Sequence, residues 1–229
     1  ADKGASLLVQ AGATDADYSG FLAWLDSPAQ AAARQLAGFA ALGDDAARAT
    51  FLARADAQEK LRDAFYLILR GVGRAVATSG KQDYDLGYDA IAALFPQTGG
   101  ARGGDIKLYF SQIKTEQGGG IDLLAPAGMV NAGLAAGGDS GKTASELGIV
   151  TARGGSVRAL TRDDFAVNQS RVFTLQGGDI LIWSSEGDID AGKGAKTAAA
   201  APPPQIIVRG DQIILDTSNS VSGSGIGVL

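Results

Sequence analysis

The amino-acid sequence predicts a mainly β protein, a parallel β-helix with a small α-helical subdomain inserted into it. Three observations predict this. The chain changes character twice, from one short strand to an Ala-rich stretch with helical spacing, and then to short β-branched runs punctuated by Gly, Ser and Asp. In the last stretch a cue recurs: two glycines and a small or acidic residue ahead of a β-branched residue. The copies return at irregular intervals, as coils do when each turns at the same corner while loops at the other corners vary in length.

The elements follow in order. Residues 4–13 read as one strand closed by Gly, so residues 1–13 form a first coil. Residues 14–100 form the α-helical insertion. There, Ser27-Pro28 marks a helix start and Gly43 its close. Asp44 and Asp45 restart the chain with the negative charge that a helix N-terminus favours. Leu61, Phe65, Ile68 and Val72 line one helical face, and Gly71 and Gly73 are expected to end that helix. Tyr84, Tyr88, Ile91 and Phe95 repeat the stripe before Pro96. Three or four short helices are expected. A solenoid accepts such an insertion at a corner, because the stacked strands stay intact.

Residues 101–229 carry the remaining coils. Ile106, Leu108 and Phe110 alternate with Asp105, Lys107 and Tyr109, which is strand periodicity. The cue appears at Gly103-Gly104-Asp105-Ile106, Gly118-Gly119-Gly120-Ile121, Gly154-Gly155-Ser156-Val157 and Gly177-Gly178-Asp179-Ile180, at spacings of 15, 36 and 23 residues. Glycine supplies the positive φ that such corners need. Val130-Asn131 and Val167-Asn168 read as equivalent turns with stacked asparagines. A Pro-rich loop near 197–204 leaves the solenoid, and strands resume at Ile206-Val208 and Ile213-Leu215. The same strands also allow a β-sandwich. Ser222 to Leu229 continue the strand pattern, so the chain reads as a fragment of a longer polypeptide.

Composition narrows the function. The 229 residues are 45% hydrophobic, enough for a packed core. His and Cys both number 0, which excludes a disulfide, a Cys/His zinc site, a thiol nucleophile and a Ser-His-Asp triad. A net charge of −5 argues against nucleic-acid binding. No apolar run is long enough to span a membrane.

Candidate chemistry is sparse. Ala136-Gly137-Gly138-Asp139-Ser140-Gly141-Lys142-Thr143 fits a permissive phosphate-loop pattern. It lacks the following helix, and no strand ending in Asp is there to hold magnesium, so it reads as a polar loop. Gly138-Asp139-Ser140-Gly141 mimics a protease nucleophile loop without its histidine. Glu186, Asp188 and Asp190 form an acidic ladder with calcium-like chemistry, or a solvated face. Asp163-Asp164 with that ladder offers paired carboxylates for a polysaccharide-binding or -degrading β-helix, the alternative function. Arg209-Gly210-Asp211 between two apolar strands is a candidate receptor-binding tripeptide. Trp183 and Tyr109 are core or surface aromatics. No catalytic residue, cofactor or metal ligand is assigned.

The runs Ser145–Thr151, Asp164–Leu175, Gly177–Ser185 and Gly187–Thr197 resemble the filamentous-haemagglutinin-like family, in the C-terminal part of its very large exoproteins, over roughly residues 101–215. The resemblance implies a long right-handed parallel β-helix and export by a two-partner outer-membrane transporter. It implies a secreted or cell-surface location and a non-catalytic role in adhesion to a host or bacterial surface ligand. The expected mechanism is presentation, with stacked coils as a rigid rod and loops or the helical insert as the contact surface.

Overall fold

The computed structural model describes residues 4–12, 15–96, 103–134, 142, 146–192, 205–209, 212–216 and 224–229, with 205–209 and 212–216 described by backbone alone. The chain divides into two compact units, Ala1–Gly12 with Gly103–Leu229, and Ala13–Arg102.

Among its described residues the first unit holds three four-stranded parallel sheets. Sheet 1 is β1 (Leu7–Gln10), β4 (Ile121–Ala125), β7 (Val157–Thr161) and β10 (Ile180–Ser184). Sheet 2 is β2 (Ile106–Lys107), β5 (Val130–Asn131), β8 (Phe165–Ala166) and β11 (Ile189–Asp190). Sheet 3 is β3 (Gln112–Thr115), β6 (Gly148–Thr151), β9 (Arg171–Thr174) and β14 (Gly225–Val228). The chain visits the sheets in a fixed rotation, and each visit lies beside the previous one. Register holds throughout: Leu7 faces Ile121, Ile121 faces Val157, and Val157 faces Ile180. Because side chains alternate along a strand, one face of every sheet points inward. Ile121, Leu123, Val130, Ile149, Phe165 and Val172 share a single core, with Val9, Ile113, Ile180, Ile182 and Ile226 packed against it. Such parallel stacks are compatible with a β-helix. Among the described residues, antiparallel pairing is confined to β12 (Gln205–Arg209) with β13 (Gln212–Asp216).

Several expectations change. Ile206–Val208 and Ile213–Leu215, expected to resume the coil strands, lie in β12 and β13, which among the described residues pair only with each other. Three glycine cues lead into sheet 1, at Ile121, Val157 and Ile180, whereas Gly103-Gly104 leads into sheet 2 at Ile106. The alternation at 105–110 stops early, since β2 is two residues long and Phe110 is exposed in a turn. Val130-Asn131 is in register with Phe165-Ala166, not with Val167-Asn168. The two asparagines still meet, because Asn168 Nδ2 donates to Asn131 Oδ1 at 3.1 Å and to the Gly133 carbonyl at 3.1 Å. Ser222–Leu229 ends in β14, in parallel register with β9.

Among the described residues the second unit has five α-helices: α1 (Tyr18–Asp26), α2 (Ala31–Ala37), α3 (Asp45–Leu52), α4 (Ala57–Ser79) and α5 (Asp85–Leu94), with one 3-10 turn at Pro28–Gln30. Ser27 precedes that turn without a side-chain cap, and α2 closes at left-handed Gly38 rather than at Gly43. Asp44 caps α3 as expected, accepting the Ala47 N–H at 2.8 Å. α4 runs through Gly71 and Gly73 to Gly80. At Gly71 the Leu36 side chain of α2 lies close, its Cδ2 2.6 Å from where a Cβ would stand. Leu61, Phe65, Ile68 and Val72 are buried as the stripe requires, and Phe65 meets Phe21 and Phe95 edge-on. In α5 the buried face is Gly87, Ala90 and Leu94, and Tyr88 is exposed.

Candidate functional site

The side chains that repeat from round to round sit at the corners between sheets. Where the chain leaves sheet 3 for sheet 1, Thr151 is the register partner of both Thr115 and Thr174. The Thr115, Thr151 and Thr174 hydroxyls donate to the carbonyls of Gly119, Gly155 and Gly178, at 2.6, 2.8 and 3.3 Å. Each threonine stands four residues before the second glycine of a doublet. That spacing is the signal in the sequence that marks these threonines. Thr151→Val keeps the shape and removes the donor, leaving a carbonyl without its partner. Urea unfolding of that variant is expected to show a loss of about 1–2 kcal/mol.

Between sheet 1 and sheet 2, aspartates tie the first round to the second and the third to the fourth. Asp105 Oδ1 accepts the Met129 N–H at 3.1 Å, and Asp164 Oδ1 accepts the Asp188 N–H at 2.9 Å. A hydrogen bond from Lys107 and the one from Met129 hold the Asp105 carboxyl below the usual carboxylate range. After sheet 2, Asn131 and Asp190 each accept the N–H two residues on, from Gly133 and Gly192. Across the outer side of sheet 1, Arg158 grips Asp122 through two bonds of 2.7 Å.

This geometry accounts for the sequence candidates one by one. The acidic ladder is divided among different duties. Glu186 pairs with Arg162 at 3.0 Å, Asp188 hangs by its N–H from Asp164, and Asp190 caps its own turn. Among the described residues no three acidic side chains gather into a group that could hold a metal. Asp164, proposed from sequence as one of the paired carboxylates, serves as a backbone anchor between rounds. Trp183 is buried in register with Leu160, and Tyr109 is exposed. Arg209 faces Gln212 across the hairpin, while Gly210 and Asp211 lie outside the described residues. The phosphate-loop-like stretch 136–143 also lies outside them, except Lys142, whose Nζ donates to the Phe110 carbonyl at 2.7 Å.

What these residues define is a scaffold class, stacked parallel strands tied to one another by side chains in the segments between the sheets. Residues 177–229 match the model of a family described as "Filamentous haemagglutinin family outer membrane protein". The resemblance read from the sequence is to the same family, although the matched stretch lies further toward the C-terminus than 101–215. In general terms the match is to a surface, adhesin-type exoprotein. No match was found among curated proteins or among solved structures. Among the described residues no helix is long and apolar enough to cross a membrane.

Proposed function

We propose that this chain is a non-catalytic shaft segment of a large secreted bacterial surface protein, and that its three sheets are the faces of one right-handed parallel β-helix. The shaft holds corner loops and the helical unit out for contact with a host or bacterial surface. The supporting observation is where the extra sequence goes. Residues 13–102 lie between β1 and β2, 132–147 between β5 and β6, and 191–224 between β11 and β14. The strands on either side keep their register. The chain also closes behind the largest of these insertions, since a Cβ on Gly104 would stand 2.2 Å from the Gly12 Cα. On this reading residues 13–102 are an insertion at one corner, and an outer-membrane two-partner transporter is the export partner.

Joining Gly12 directly to Gly103 tests both halves of the reading. The shortened chain is expected to lose its helical circular-dichroism signal and keep a cooperative β transition. Beads coated with it are expected to attach to target cells at least about fivefold less than beads coated with the intact chain, a loss of about 1 kcal/mol or more in binding. If attachment survives the deletion but falls in Asp211→Glu, contact belongs to Arg209-Gly210-Asp211 instead. Loss of the β transition on deletion would sink the inserted-subdomain reading.

A further inference from the structure

The two units are joined twice, because the chain leaves the sheet unit at Gly12 and returns to it at Gly103. Each unit brings the two sides of that break together by itself. In the sheet unit, Gly104 packs against the backbone of Gly12. In the helical unit, the Asp17 N–H, just before α1, donates to the Leu94 carbonyl at the end of α5, at 2.8 Å. That bond holds together the ends of a span that runs from α1 to α5.

β1 lies on one side of the break and its partner β4 on the other. Leu7, Leu8, Val9 and Gln10 pair with Ile121, Asp122, Leu123 and Leu124. The Leu7 and Ala11 N–H groups donate to the Gly120 and Leu124 carbonyls, each at 2.9 Å. Val9 packs against the shared core. Docking β1 therefore closes a loop through residues 13–102, and the cost depends on the state of the helices. When they are folded, about a dozen residues outside the Asp17–Leu94 span remain to be closed, against about ninety when they are unfolded. Loop closure weakens as roughly the 3/2 power of length, so the difference is about twentyfold.

We propose that the helical unit is a clasp for β1: its folding strengthens the docking of β1 on β4 about twentyfold, and docked β1 favours the folded helices by the same factor. The coupling runs through the connectivity of the chain and requires no contact between the units. It rests on the β1–β4 register and the two closed ends, and is independent of any adhesive role.

Hydrogen exchange on the full 229-residue chain tests it. Phe65 is fully buried and meets Phe21, Tyr66 and Phe95 edge-on. Phe65→Asp sets a charge in that apolar centre and is expected to abolish the helical circular-dichroism signal. In that variant the Leu7 and Ala11 amides are expected to exchange about twentyfold faster. The Val157 and Phe165 amides, bonded to the Asp179 and Asp188 carbonyls, are expected to keep their rates. The chain with Gly12 joined to Gly103 has no long loop to close, so its β1 amides are expected to stay as slow as in the unaltered chain. Val9→Asp releases β1 from the core and is expected to lower the folding constant of the helical unit about twentyfold, read by urea unfolding at the helical signal. Unchanged exchange at Leu7 and Ala11 in Phe65→Asp overturns the clasp. So does faster exchange at Val157 and Phe165 in that variant, since the effect then belongs to the sheets at large. Fast β1 exchange in the joined chain overturns it as well, because the helices then shield β1 and do not close its loop. A Val9→Asp chain whose helices match the original in stability breaks the reciprocity and overturns it too.

Discussion

Gly155→Ala is expected to lower the unfolding free energy of the sheet unit by about 3 kcal/mol or more, while Gly154→Ala, one residue earlier, lowers it by only about 1 kcal/mol. Both glycines have positive φ, +70° at Gly154 and +98° at Gly155. Both substitutions therefore carry backbone strain of about 1–2 kcal/mol. They differ in what a Cβ would meet. At Gly154 the nearest atom is 3.8 Å away, whereas at Gly155 the carbonyl oxygen of Gly119, in the neighbouring round, is 2.4 Å away. Backbone cannot swing aside as a side-chain tip can, so the rounds themselves must part. The pattern repeats one round on, where Gly177 has open space and a Cβ on Gly178 would stand 2.1 Å from the Gly155 oxygen. In each doublet the first glycine makes the turn and the second lets the rounds stack. Urea unfolding of the two variants separates these roles, and equal losses would show that turn conformation alone matters.

The doublets explain why part of this fold could be read in advance. A corner repeated in every round forces the same residue type into the same place, so three of four cues land on sheet 1 despite unequal loops. The fourth misleads for a physical reason. Residues 13–102 fall in sequence between β1 and β2, and Gly103-Gly104 mark the chain's return to the sheets. Gly104 must be glycine because it passes over Gly12, a neighbour about ninety residues away in sequence that no local pattern reveals. Gly71 misleads in the same way. Inside a helix, glycine weakens the local preference, yet here it admits the Leu36 side chain and α4 continues. The asparagines were expected to stack, and Asn131 and Asn168 do bond, but two positions out of register. Asn168 has φ of +55° and reaches back to Gly133. Of the candidate site, the individual acidic residues could be read but not their uses. Whether a carboxylate faces a cation, a backbone N–H or solvent depends on the neighbouring round.

Asp26 shows the limit of that local reading most sharply, and it carries the second large effect. Nothing near it in sequence marks it, since it closes α1 among apolar residues. Its side chain is 1% exposed, yet it accepts the Leu42 N–H at 2.6 Å, the Gly43 N–H at 3.2 Å and the Arg48 guanidinium at 2.7 Å. Burial alone pushes the carboxyl up. The bonds from Leu42, Arg48 and Gly43, with the charge of Arg48, outweigh it and leave Asp26 below the ordinary carboxylate range. One side chain thus fastens the loop between α2 and α3 to the end of α1. Asp26→Asn keeps the size but replaces an acceptor oxygen with a donor facing other donors. It is expected to destabilise the helical unit by about 2–3 kcal/mol at neutral pH, below the cost of a fully buried pair because Arg48 stays partly solvated. The sign of the pH effect follows from the folded carboxyl being the stronger acid. Its contribution is complete above the unfolded pKa of about 4 and fades as pH falls from there through the lower folded value. Unfolding followed by the helical signal should therefore show the gap between the original and Asp26→Asn chains narrowing as pH drops below about 4. A gap that stays constant down to pH 2 would mean that Asp26 acts by shape and not by charge.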